Sequence, residues 1–528
     1  MKHSTSAVVA ALAVVLGLGF VSVRSALGAG TSPAPKPTLA AKPPPQTMPV
    51  LRPDQVDLLM AALAAAPDQG FESGEFMPPQ LGALLKSHDP MRRLQGQALL
   101  LSVTARYAAA VHRGRLATAD FDDEWGMRPA SFDAQASLYD AVAGNRLKAW
   151  LDGLSPPYLG YQQLVDGLKT YRAIVAKGGW ARLPSGPEMR LGADDDRVPA
   201  LKARLAIEDP AAAKAFTVSS DAAQPDVSGP SSAVATGATS PSPPAPDPLM
   251  FDAALDQAVR SFQSRHGLNP TGVVGSGTLT ALNVTASARV QQIKANMERW
   301  RWTPTEMPAD RVQVNIAAAV MTLFRGDQPV LSMRAIAGRL TDHTPMLQST
   351  IRSIVFNPPW NVPASIAAKE IWPKERAHPG YLAREDFAII KTATGERLQQ
   401  RAGPKSALGQ IKFDFDNRYG VYLHDTPGHA AFAQQSRLAS HGCVRLDQPR
   451  ALALMLLEDD PKWTAAAIAD EIDAKKTERV ILKRPTAVLI FYWTAFVGPD
   501  GVMNFRPDFY GWDSELMQRI AAAPSSKA

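Results

Sequence analysis

Cysteine is almost absent: Cys443 is the single thiol in 528 residues. A chain with one cysteine closes no internal disulfide, so that thiol is joined to another molecule, buried, or kept for chemistry. Metal-ligand spacing is missing as well. The nine histidines and the lone cysteine form no pattern that a zinc site uses, and no metal or cofactor is expected. Charge of one sign is never concentrated. The formal net charge is +6, a mild excess that suits an anionic polymer or surface, but the lack of a dense Lys/Arg block argues against nucleic acid. An apolar run opens the chain, Ala7 to Val23, seventeen residues behind Lys2 and His3 and ahead of Ser25-Ala26-Leu27-Gly28-Ala29. It is slightly long for the core of a secretory signal and slightly short for a membrane span. Residues 1–29 are therefore expected to direct export, cleaved or kept as an anchor through 7–23.

What is present fits two to four domains, since 45% of the 528 residues are hydrophobic. Seven prolines between Thr31 and Val50 make 30–50 an extended linker. Residues 51–184 read as a helical scaffold, with Leu164, Leu168, Tyr171 and Ile174 on one face of a helix. Helical spacing continues over 185–284, interrupted by 209–248, where eight prolines and few large apolar residues predict an unfolded insertion. Residues 285–310 read as a linking helix. From 311 to 515 the period changes to two, as in Val312, Val314 and Ile316, with turns at Arg325-Gly326-Asp327 and Gly498-Pro499-Asp500-Gly501. Asn357-Pro358-Pro359-Trp360-Asn361 is a rigid turn whose tryptophan is placed to wall a pocket. Residues 364–409 read as a helical lid, and Asp447 as the cap of a helix from Pro449. Val480–Leu482 and 487–497 read as late strands, and 516–528 as a tail. The fold class is multidomain α+β.

The chemistry is concentrated in Tyr422-Leu423-His424-Asp425-Thr426-Pro427, Arg437, and Ser440-His441-Gly442-Cys443-Val444-Arg445-Leu446. A thiol needs a base to become a strong nucleophile, and His424, nineteen positions before Cys443 (443 − 424), supplies an imidazole. Arg445 beside it would favour the thiolate. Gly442, without a Cβ, lets backbone N–H groups approach a developing oxyanion. Tyr422, two residues before His424 on a strand, shares its face. The order of residues excludes a papain-like protease, whose histidine follows its cysteine, and a caspase, whose histidine lies about fifty residues upstream.

This string resembles the active-site signature of the YkuD-type L,D-transpeptidases, in which a histidine precedes Ser/Thr-His-Gly-Cys-x-Arg by this interval. Ala258-Val259-x-x-Phe262-Gln263, His266-Gly267-Leu268 and Gly272 through Leu282 resemble a small three-helix peptidoglycan-binding domain. The lid resembles the capping subdomain of the larger Gram-negative-type members. Ser406 stands where that family often has Asn, and Asp414-Phe415-Asp416-Asn417 replaces a more usual Phe-Pro-Asn. The resemblance implies a periplasmic enzyme that cuts a peptidoglycan tetrapeptide stem before its terminal D-alanine and passes the acyl group to a second stem's amine as a 3→3 cross-link. It implies no cofactor, and carbapenem-type β-lactams as inhibitors. Cys443 and His424 would be catalytic, with Gly442, Tyr422, His441 and Asp425 in support. Arg445, Ser440, Trp360, Asn361 and Arg437 would meet substrate. Discharge to water would instead make an L,D-carboxypeptidase, discharge onto a lipoprotein amine an anchoring enzyme, and a silent site a wall-binding protein.

Overall fold

Alternating apolar residues draw the C-terminal half into a sheet. In the computed structural model, which describes residues 47–221, 247–393 and 395–522, these strands are β1 (Arg311–Asn315), β2 (Val320–Arg325), β3 (Gln328–Gly338) and β4 (Leu347–Phe356). They continue with β5 (Trp360–Asn361), β6 (Phe387–Thr392), β7 (Gly395–Gln400) and β8 (Ile411–Phe415). The last are β9 (Leu423–His424), β10 (Leu438–Ser440), β11 (Val444–Leu446) and β12 (Glu478–Phe491). Nine of them form one sheet in the order β10-β3-β11-β9-β8-β4-β12-β1-β2. Pairing of β2 with β3 closes that sheet on itself. Val312, Val314, Met321, Ile354, Phe413, Leu423 and Val444 fill its interior. The expected export segment, most of the proline-rich linker and most of the 209–248 insertion lie outside the described residues.

Helices pack around this sheet. Leu164 and Leu168 of the helix Leu159–Ala176 meet Ile293 and Met297 of the helix Ala286–Trp300 and Leu489 and Phe491 of β12. The second helix was expected only to link two domains. Instead residues 293–300 are all buried, and Asn296 binds both the backbone and the hydroxyl of Thr494. The two halves of 185–284 form one module, joined by a bridge between Met189 and Val274 and a shared core of Leu201, Leu205, Leu255, Val259 and Phe262.

Several expectations need correction. Residues 210–221 are helical, not unfolded: the alanines favour helix, and the Asp209 carboxylate accepts from the N–H groups of Ala211 and Ala212 at 2.9 and 3.2 Å. The lid is only half helical. It has short helical turns over 364–384, but 387–400 is the hairpin β6–β7, to which β5 adds a third strand. Phe387 and Leu398 turn into the lid's own small core. Asp447 does not cap the helix Pro449–Leu456; it pairs with Arg334 at 2.9 Å. The two late strands up to 491 are one strand, broken in register between Ile481 and Thr486.

Candidate active site

Strands β9 and β11 run parallel, with Leu423 opposite Val444 and His424 opposite Arg445. Side chains alternate along a strand. Leu423 and Val444 enter the core, each 0% exposed, so Tyr422, His424, Cys443 and Arg445 share the other face. All four line one cavity of about 610 Å³. Trp360 and Asn361 reach it from β5, and Glu370 and Tyr381 from the lid.

Within the cavity the half-buried thiol of Cys443 is held by Tyr422, through both its hydroxyl and its backbone. The Trp360 indole, which can only donate, bonds the same hydroxyl. Burial pushes the Cys443 thiol above its ordinary range, while Tyr422, Lys412 and Arg445 pull it down without prevailing. Arg445 does favour the thiolate, as the sequence suggested, but desolvation outweighs the cation. Burial, followed by Arg445, lowers His424 to about 3, against smaller upward pulls from backbone hydrogen bonds at Asp425 and Leu408. His424 is 4% exposed, and its Nδ1 has no hydrogen-bond partner among the described residues. The resting pair is thus a neutral imidazole and a protonated thiol, on one face, with an open ring nitrogen.

The other predicted residues divide. Arg445 lines the cavity, and among the described residues it has no carboxylate partner; its Nε is buried and unbonded. His441 donates through Nε2 to the Glu370 carboxylate at 2.7 Å, and that carboxylate also binds Arg339 at 3.0 Å. Gly442 sits at φ +103, where a side chain is strained, and an added Cβ would lie 3.1 Å from the His343 carbonyl. Its N–H is taken by the Ser440 hydroxyl at 3.1 Å, so Gly442 supplies no oxyanion donor. Ser440 lines the cavity as expected, but it is 1% exposed, and its hydroxyl also donates to the Cys443 carbonyl, stapling the loop. The Asp425 carboxylate accepts from Gln410 N–H at 2.8 Å and lies outside the cavity lining. Its side chain makes no hydrogen bond to His424 among the described residues. Arg437 belongs to another cavity altogether. Glu370, Lys374 and Tyr381 were missed, because the lid's sequence carries no sign of which residues fold back over the thiol.

Family models match three segments: 309–466 as "L,D-transpeptidase catalytic domain", 51–168 as "Scaffold domain", and 240–282 as "Putative peptidoglycan binding domain". A curated Haemophilus influenzae protein named "Putative L,D-transpeptidase" is 29% identical over 243 residues, 43% of this chain and 49% of that one. The chain thus matches about half the length of that relative. Among solved structures, an L,D-transpeptidase from Mycobacterium smegmatis is 16% identical and covers 35% of this chain and 58% of its own, at a TM-score of 0.18. The catalytic domain of an Enterococcus faecium L,D-transpeptidase acylated by ertapenem is 12% identical over 35% of this chain and 99% of its own, at 0.17. Three segments of one polypeptide are thus similar, in chain order, to a scaffold domain, a domain of the peptidoglycan-binding type and the catalytic domain of the YkuD-type L,D-transpeptidases.

Proposed function

We propose that this protein forms 3→3 peptidoglycan cross-links through a thioester on Cys443. The observation that carries the reading is the shared face of Tyr422, His424, Cys443 and Arg445 in a single cavity. His424 takes the thiol proton as the sulfur attacks the carbonyl between the diamino acid and the terminal D-alanine of a tetrapeptide stem. The Tyr422 hydroxyl and the Cys443 N–H hold the oxyanion. His424 returns the proton to the departing D-alanine amine, leaving a thioester. The side-chain amine of a second stem then attacks, its proton passes through His424, and the thiol is restored. Arg445, a half-buried cation with no carboxylate partner among the described residues, suits a stem carboxylate. A strained lactam carbonyl offers the sulfur the same electrophile, so carbapenems should acylate Cys443. Such a substrate calls for an enzyme exported to the periplasm.

Incubation with disaccharide-tetrapeptide, followed by mass analysis, tests the reading. Transpeptidation gives a dimer less one D-alanine. Tripeptide alone would make the protein an L,D-carboxypeptidase, and untouched substrate a wall-binding protein.

A further inference from the structure

A second cavity, of about 460 Å³, lies where the peptidoglycan-binding-type domain meets the catalytic sheet. Ser264 and Asn269 reach it from that domain, Gln435, Ser436 and Arg437 from the segment before β10, and Arg506 from the chain beyond β12. Its size falls in the ordinary range of ligand pockets. Its charge is one-sided. Among the described residues that line it, Arg437 and Arg506 are the charged ones and none is a carboxylate.

Neither arginine is in an ion pair among the described residues, although buried arginines elsewhere in the protein are matched: Arg299 with Asp513 at 2.5 Å and Arg301 with Glu298 at 2.9 Å. Arg437 spends Nη2 on the Ala318 carbonyl at 3.1 Å, and its buried Nε is unbonded. Arg506 donates through Nη1 to the carbonyls of Arg265 and Phe505, at 2.7 and 2.8 Å. Burial and then the neighbouring Arg437 lower Arg506 to about 10. Two partly desolvated cations without a counter-ion are unfavourable, and an anion bridging them would relieve the cost. The arrangement is also held in place. Gly267 sits at φ +70, and an added Cβ would come 2.6 Å from the Arg506 Cδ, so only glycine lets the domain lie this close.

We propose that this cavity is a second peptidoglycan subsite, in which Arg437 and Arg506 take a free carboxylate of a stem peptide. The inference rests on the reading that the protein acts on peptidoglycan. Asn269, Gln435 and the two serines offer uncharged donors and acceptors suited to the amides of such a stem. The site lies one residue before β10, whose end, Ser440, staples the loop of Cys443. It would hold one strand of the polymer while the active site works on another.

The test uses the full chain with its active site already blocked by acylation of Cys443 with ertapenem. Calorimetric titration with a disaccharide-tripeptide should then still show one binding event. Ser436→Glu, which puts a carboxylate at the exposed rim, and Arg437→Gln should each weaken that event about tenfold or more. Amidating the ligand's carboxylates should do the same, while both variants accept ertapenem at the wild-type rate. Absence of binding to the acylated protein, or equal binding by both variants, would overturn the proposal; so would equally tight binding of poly-glutamate. If ertapenem fails to acylate Cys443, the active-site reading suffers instead, and the same titration on the Cys443→Ala protein decides the fate of the cavity.

Discussion

At the scale of single residues, burial sets the chemistry of His424 and Cys443 more strongly than any neighbouring charge. A positioned acid/base contributes about 10²–10⁴-fold, so His424→Ala should slow carbapenem acylation of Cys443 by that factor, read by mass against time. An unchanged rate would remove the imidazole from the mechanism. The same residue makes a statement about stability. Its folded value, about 3, lies below the ordinary 6.5, so between those values the unfolded chain binds a proton that the folded one refuses. Stability from this group is therefore whole above pH 6.5 and is lost as pH falls toward 3. The loss approaches about 1.4 kcal/mol per pH unit inside the window. Urea titrations from pH 7 to pH 4 should show a shallower acid slope for His424→Gln than for the wild type, and equal slopes would mean that the ring is already charged in the folded state.

At the scale of elements, the lid is fastened to the catalytic loop by one carboxylate. Glu370 meets His441 at 2.7 Å and Arg339 at 3.0 Å, and Arg339 also binds Asp342 at 2.6 Å. All are partly exposed, and such pairs are worth no more than about 1 kcal/mol each, a latch weak enough to open for substrate. Glu370→Gln should raise amide exchange across 364–384 and raise KM for the tetrapeptide, while the unfolding midpoint barely moves. If exchange there is unaltered, the lid is held by its own core of Val362, Ile371 and Leu398 instead. This element also shows how far the sequence could be read. Tyr422, His424, Cys443 and Arg445 were legible because alternation on two short strands fixes their face. The hairpin 387–400 was not, although Ile389 and Ile390 favour a strand, because its face packs only on a small local core and its other residues are polar. Arg437 was misplaced because nearness in sequence to Ser440 says nothing of which side of β3 the chain takes. The roles of Ser440 and Gly442 depend on a hydroxyl satisfied within the loop, and no residue pattern reports that.

Across the whole molecule, the scaffold reaches the support of the catalytic loop through residues 124–126. Trp125, 0% exposed, stacks on Trp302 at 5.6 Å and meets the edge of Trp512 at 6.3 Å, while Gly126 N–H donates to the Met346 carbonyl at 2.8 Å. One residue earlier, Glu124 binds Nδ1 of His343 at 2.7 Å. The carbonyl of that histidine faces Gly442, and the adjacent Thr344 hydroxyl donates to the Gly442 carbonyl at 2.8 Å. Scaffold, His343–Thr344 and thiol loop are therefore consecutive layers of one packing. Removing a buried tryptophan side chain costs about 3–5 kcal/mol, so Trp125→Ala should lower stability by that amount in urea unfolding. Because the lost volume adjoins the support of Gly442, acylation of Cys443 should also slow in the folded variant. A fall in stability with an untouched acylation rate would mean that the scaffold braces the fold but not the nucleophile. A change below about 1 kcal/mol would mean that residues 51–168 are held to the catalytic domain by other contacts, such as those of Leu164 and Leu168 with Ile293 and Met297.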